Sequence, residues 1–287
     1  MPSLIDIRRR IRSVKNTQQI TKAMKMVSAA KLRRAQDRVI AARPYAQIME
    51  RMLANVAQAA AEDPETANNP LLARRDEKRI LFLVITGDRG LAGAFNSSVI
   101  KAAQRFISEH RDAEIELELM GRKGRDFFRK RHGSIGGEYA GLFQKAVRYD
   151  DALEIARKVA EKFRKAEVDS VYMVLNQFKT VAAPELKVIQ LLPIQLPQTE
   201  ERIDYIYEQP PAELLGALLP RYIEVQIYRA MLESAAAEHA ARMTAMDAAS
   251  SNAADVIDRL TLNMNRVRQA SITKEIIEVV SGAAALE

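Results

Sequence analysis

The feature that most constrains this chain is where its helix breakers are missing. Gly and Pro punctuate structure more strongly than any other residues. Residues 1–63 hold no Gly and only Pro2 and Pro44, and residues 221–287 hold no Pro and only Gly282. Nine of the 11 Gly fall between Gly87 and Gly141. Globular helices average about 11–12 residues, so two breaker-free ends of this length demand something other than an ordinary packed domain.

The N-terminal end starts with Ser3-Leu-Ile-Asp6, an N-cap with an acid three positions on. Apolar residues recur at Leu4, Ile7, Ile11, Val14, Ile20, Met24 and Val27, a helical stripe with an imperfect heptad. Good helix formers resume directly after Pro44, so a kink is expected there, with the break at Glu62-Asp63-Pro64. The C-terminal helix follows Pro210-Pro211 and carries Glu213 in its first turn. Gly216 and Pro220 disturb its start, and Ala235, Ala236, Ala237, Ala240, Ala241, Ala248 and Ala249 allow close approach of a second backbone. Val256, Leu260, Met264 and Val267 continue its apolar stripe.

At about 1.5 Å per residue each helix would run for roughly 85–90 Å. A compact domain of this size would be about 40 Å across, so both helices must protrude. A lone protruding helix is marginal in water, and the two therefore pair with each other. One sits at each terminus of the same insert, which makes the pairing antiparallel. Three segments are expected: 1–63 as the N-terminal shaft helix, 64–208 as a central domain and 209–287 as the C-terminal shaft helix.

The middle reads as α/β. Arg79-Ile-Leu-Phe-Leu-Val-Ile-Thr86 is the continuous apolar run of a strand buried on both faces. Further strands are expected at 115–120, 171–178 and 186–192, with helices at 97–110, 122–132 and 152–166. This alternation indicates a mostly parallel sheet. The fold class is thus α/β, a long antiparallel coiled coil of N- and C-terminal helices plus a central Rossmann-like domain.

Enzyme chemistry finds little to stand on. Thr86-Gly-Asp-Arg-Gly-Leu-Ala-Gly-Ala-Phe-Asn96 joins a strand to a helix, a context that invites a phosphate loop. The Walker order needs Lys and then Ser or Thr after the last Gly, where Ala94-Phe95 stands, and GxGxxG is also missing. A tight turn with structural Gly is the better reading. His110, His132 and His239 are far apart and read as solvated surface residues. Ser97 and Ser98 lack a nucleophile-elbow pattern. With no Cys there is no thiolate site and no disulfide framework. No cofactor is expected.

Charge points to a partner. Residues 1–43 carry twelve Lys or Arg against Asp6 and Asp37, while the whole chain is +7. Such a segment suits an acidic surface, either protein or nucleic acid. Against nucleic acid, no aromatic precedes Tyr45 to stack on bases. A basic coiled-coil nucleic-acid-binding protein stays open as the alternative. No stretch approaches the roughly 18 consecutive apolar residues of a membrane span, and the start has no apolar run of signal-peptide length, so a soluble or membrane-peripheral chain is expected.

Two terminal runs carry a resemblance to a known family. Arg268-Gln-Ala-Ser-Ile-Thr-Lys-Glu275-Ile-Ile-Glu278-Val-Val-Ser-Gly-Ala-Ala and Asn16-Thr-Gln-Gln-Ile-Thr-Lys-Ala-Met-Lys-Met-Val27 resemble the gamma subunit of F-type ATP synthases. Asp88-Arg-Gly-Leu-Ala-Gly, Tyr205-Ile-Tyr-Glu and Ala240-Ala-Arg-Met243 are similar to it as well. The resemblance implies a non-catalytic rotor, peripheral to the cytoplasmic side of a bacterial inner membrane, that transmits torque from a proton-driven c-ring to a hexamer of alpha and beta subunits. It implies the epsilon subunit as a further partner and no nucleic acid. It places Met24, Lys25, Arg242, Arg268, Gln269, Thr273, Glu275 and Glu278 at the hexamer, and Tyr205, Tyr207 and Glu208 at the c-ring. Lys25 is an acid in some relatives and Ala92 replaces a frequent Cys.

Overall fold

A computed structural model describes residues 3–61, 63–178, 185–196 and 207–284. The N-terminal helix α1 runs Leu4–Ala59. Its start is a closed capping box: the Asp6 amide donates to Ser3 Oγ at 3.2 Å, and the Ser3 amide donates to Asp6 Oδ2 at 3.3 Å. Pro44 lies inside α1 and does not end it. After the single turn α2, Pro64–Ala67, comes the sheet domain.

Its elements are β1 Arg79–Ile85, α3 Phe95–Glu109, β2 Glu114–Met120, α4 Arg122–Phe128, β3 Ile135–Tyr139, α5 Tyr149–Arg164, β4 Ser170–Gln177 and β5 Glu185–Leu192. The chain then enters α6, Pro211–Ala284, which contains Gly216 and Pro220. The sheet order is β3-β2-β1-β4-β5, parallel except for the antiparallel edge β5. Right-handed crossovers put α3 and α4 on one face and, because the chain reverses direction across the sheet, α5 on the other. The central strand β1 is accordingly buried throughout from Ile80 to Ile85, as its unbroken apolar run requires. Ile80, Phe82 and Val84 pack with Val99, Ala103, Phe106 and Phe128. Phe82 and Phe106 stack with centroids 4.3 Å apart.

Strand β3 is absent from the sequence expectation, because Ile135-Gly-Gly-Glu-Tyr139 has no apolar run. Its two glycines have a tertiary cause. The Glu116 and Glu118 carboxylates occupy the space that a Cβ at Gly136 or Gly137 would need. Glu118 is fully buried and is met by Lys158 Nζ at 2.8 Å, while Lys162 Nζ binds Glu116 at 2.6 Å. Burial, and then the Glu118 charge, push the Tyr139 hydroxyl well above its ordinary value.

The surface reading of the histidines is corrected. His110 stacks on Phe106 at 4.1 Å, with Nδ1 2.9 Å from the Phe106 carbonyl. His132 Nε2 lies 2.8 Å from the Ile115 carbonyl. His239 is half-buried on α6, and burial, with the nearby Arg242 and Lys31 charges, pushes its pKa down to about 4. An imidazole stacks and hydrogen-bonds as readily as it is solvated, and a single sequence gives no sign of which applies.

By its internal contacts the chain forms two units: residues 1–28 with 243–287, and residues 29–242. In the second unit, α1 buries Leu53 and Val56 and α6 buries Ile223, Ile227 and Ala236, all at most 2% exposed, while Ala237 of α6 packs against Ala92 and Phe95. Glu50 Oε1 takes bonds of 3.3 Å from both Gln226 and Arg229.

Candidate functional site

The first unit holds the paired ends of α1 and α6. Thr21 Oγ1 and Ser250 Oγ are 2.7 Å apart, Gln18 Nε2 donates to the Ser250 carbonyl at 3.3 Å, and Lys25 Nζ binds Asp247 Oδ1 at 2.6 Å. Numbers rise along α1 as they fall along α6, so the pair is antiparallel, as its position in the chain predicts. The seam is small and partly polar: Ile7, Thr21, Ser28, Met246, Ser250 and Ala253 are its buried residues. Small side chains bring the backbones close, and one hydroxyl donates to the other while the second donates to a carbonyl of its own helix, Gln18 or Met246. Neither Thr21 nor Ser250 is singled out by the sequence, because a hydroxyl pair separated by 229 positions leaves no local signal.

Met24 and Lys25 lie half-buried on this pair. Lys25 and Asp247 keep 42% and 59% of their side-chain surface, so their ion pair contributes at most about 1 kcal/mol and leaves the Lys25 charge accessible.

Both helices rise equally per residue, so extending this register sets Leu4 level with about residue 267 of α6. From Arg268 onward α6 has no α1 beside it. Arg268, Gln269, Thr273, Glu275 and Glu278 are all exposed on that single helix. Ile272, Ile276, Ile277, Val279 and Val280 are exposed by 49%, 57%, 58%, 72% and 61%. Five bare β-branched side chains in nine positions form an apolar surface without a partner among the described residues, which is the mark of an interaction site.

The second unit contains a clamp around the turn after β1. The Asp88 carboxylate is buried and accepts three backbone amides: Arg122 at 3.0 Å, Gly141 at 2.8 Å and Phe143 at 2.8 Å. The Gly87 amide donates to Asn96 Oδ1 at 2.8 Å, and Asn96 Nδ2 donates to the Arg89 carbonyl at 3.1 Å. Side chains thus occupy the turn in which a phosphate loop would hold its anion. From α6, Arg242 forms an ion pair with Glu238 and donates to the Gly90 carbonyl at 3.3 Å from both Nε and Nη2. Burial raises the Glu238 pKa, and Arg242 works against that rise. Arg242 is only 8% exposed, so its guanidinium is committed inside this unit.

Tyr207 is half-buried and Glu208 exposed just ahead of α6, while Tyr205 lies outside the described residues. Of the expected positions, the structure brings Met24 and Lys25 together on the helix pair and gathers Arg268, Gln269, Thr273, Glu275 and Glu278 at the α6 tip. Arg242 belongs to the other unit, where it binds the Gly90 turn.

Comparison with known proteins gives a consistent result. The family model described as ATP synthase matches residues 3–286. An ATP synthase gamma chain of Solibacter usitatus is 66% identical over the full length of both chains. One from Pelotomaculum thermopropionicum is 52% identical, again over the full length of both. Among solved structures, a chain of the Tetrahymena thermophila mitochondrial ATP synthase central stalk and c-ring is 26% identical, with a TM-score of 0.62, covering 80% of this chain and 99% of that one. A chain of the Euglena gracilis mitochondrial enzyme shares the fold at 18% identity and a TM-score of 0.67, covering 99% and 94%. The nucleic-acid alternative finds no support among these relatives. A basic antiparallel helix pair, an α/β domain of this topology and relatives that match from end to end agree: the chain belongs to the ATP synthase gamma-chain family.

Proposed function

We propose that this chain is the central-stalk rotor of an F-type ATP synthase, passing torque from a proton-driven c-ring to the hexamer of alpha and beta subunits while catalysing nothing itself. The observation that carries this reading is the unpartnered end of α6, whose exposed Ile272, Ile276, Ile277, Val279 and Val280 require a surrounding apolar surface. A hexamer that encloses the tip would supply it. Arg268, Gln269, Thr273, Glu275 and Glu278 then offer polar contacts around that bearing, and Met24 and Lys25 meet acidic loops further along the pair. An antiparallel pair of unlike helices presents a different surface in each direction, so equivalent catalytic subunits around it would be driven into different states.

Among the described residues no helix is long and apolar enough to cross a membrane. In this reading membrane attachment runs through the c-ring, with Tyr205, Tyr207 and Glu208 at the foot and epsilon beside the sheet domain, on the cytoplasmic side of a bacterial inner membrane. Arg242 serves the rotor from inside, by tying α6 to the turn after β1 at Gly90.

The test replaces Arg268 and Gln269 together with Ala in the complex reconstituted with alpha and beta subunits. ATP turnover should fall while the circular dichroism and melting temperature of the isolated chain stay unchanged. Turnover equal to that of the parent would remove the assigned contact.

A further inference from the structure

A second candidate site lies within residues 29–242. A cavity of about 220 Å³ opens between α1, α6 and the segment that follows β3. Lys31, Arg34 and Arg38 enter it from α1, and Lys145 enters from the segment. The spacing of three and four residues puts the α1 cations on one helix face, where like charges repel. None of the four has a carboxylate within ion-pair distance among the described residues. Glu238, the acid that feels the Lys31 charge, is already bound to Arg242.

The wall is built rather than incidental. Asp88 holds the segment carrying Lys145 through the Gly141 and Phe143 amides. Phe143, Val147 and Leu232, at 8%, 7% and 3% exposure, form an apolar floor. His239 also lines the cavity. Arg242 Nη1 lies 3.4 Å from its Nδ1. A guanidinium has only hydrogens to offer, so Nδ1 accepts, and the neutral ring carries its proton on Nε2 as one more donor.

Four unpaired cations and a neutral donor around one small cavity define the ligand by charge and size. A single carboxylate would leave most of that charge uncompensated. Guanidinium forks match phosphoryl oxygens in pairs. The volume is below the roughly 300–1,000 Å³ of pockets that enclose drug-sized ligands, so a whole nucleotide would not be engulfed. We propose that this cavity binds a diphosphate group, either free pyrophosphate or the terminal diphosphate of an ester, through Lys31, Arg34, Arg38 and Lys145.

The experiment is calorimetric titration of the full chain with pyrophosphate at constant ionic strength, alongside Arg34→Gln/Arg38→Gln and, as a control for general basicity, Arg8→Gln/Arg12→Gln. The first double variant should weaken binding at least about tenfold, the loss of one or more charge-assisted contacts, while the control leaves it unchanged. NMR titration of His239 supplies an independent readout. Its pKa, held low partly by Arg242 and Lys31, should rise when a polyanion settles beside it. Equal affinity of pyrophosphate and ADP would assign recognition to the diphosphate alone, and tighter binding of ADP would add a nucleoside contact at the floor. Equal weakening in both double variants would overturn the proposal, as would a His239 titration indifferent to pyrophosphate. A carboxylate-rich peptide that binds the chain where pyrophosphate does not would also overturn it, pointing to a protein partner.

Discussion

The Glu238 carboxylate of α6 lies directly over Gly87 in the turn after β1, so that a Cβ at Gly87 would stand 2.7 Å from Glu238 Cδ. A side-chain tip usually swings away from such an intrusion, but here Arg242 pins the carboxylate. Gly87→Ala should therefore destabilise the chain by roughly 1–3 kcal/mol, the range for overpacking a filled site. Gly121→Ala should cost more, because its φ of 96° disfavours any Cβ and its neighbour is the Thr86 backbone carbonyl, which cannot rotate out of the way. Urea denaturation of the two variants checks both the magnitude and the order, and the reverse order would refute the pinning argument.

Removing Arg242 strands a buried acid. Arg242→Ala should cost about 3–5 kcal/mol near neutral pH, the usual penalty for breaking one side of a buried pair. Burial already raises the Glu238 pKa, and losing Arg242 raises it further. The folded state then holds its proton more tightly than the unfolded chain, so stability decreases as pH rises through that interval. The deficit of the variant should shrink on acidification, and Glu238→Gln in the same background should recover much of it at pH 7.

His239 works in the opposite direction. Its pKa is pushed down to about 4 from 6.5, so the unfolded chain binds the proton first as pH falls. The associated stability is complete above about pH 6.5 and disappears towards pH 4, and it amounts to roughly 3 kcal/mol at most. His239→Gln should flatten that part of the pH–stability curve. A curve of unchanged slope between pH 6.5 and 4.5 would show that the imidazole does not titrate in this way.

Asp88 has three amides to satisfy. Asp88→Ala leaves the Arg122, Gly141 and Phe143 amides without their acceptor, a loss of about 2–4 kcal/mol from hydrogen bonds to a charged group. Hydrogen exchange should localise the damage to the start of α4 and to residues 141–147, with the α1–α6 pair below residue 28 unaffected.

On the helix pair, two neighbouring contacts should behave differently. Lys25→Gln should change stability by less than about 1 kcal/mol, because its partner is exposed, so any fall in turnover of the assembled complex reports an intermolecular contact. Thr21 and Ser250 are buried together, and a double-mutant cycle to Val and Ala should give a coupling of about 0.5–1.5 kcal/mol. A coupling of zero would mean that the hydroxyls do not rely on each other.

The sequence by itself determined what depends on neighbours along the chain. Missing breakers set the long helices, the Ser3–Asp6 spacing set the first cap, and the apolar run 80–85 set the buried strand. Periodicity, propensity and capping act within a few residues and are written locally. Motifs shared with relatives carried the family, but they did not say which way a side chain points. Only the tertiary structure decided that Arg242 faces inward, because its acceptor at Gly90 is 152 positions away. The same holds for Asp88, whose three amides lie 34, 53 and 55 positions on, and for the glycines of β3, required by two carboxylates on β2. Contacts between distant positions leave no periodic trace, and burial turns the same residue types from solvated charges into clamps.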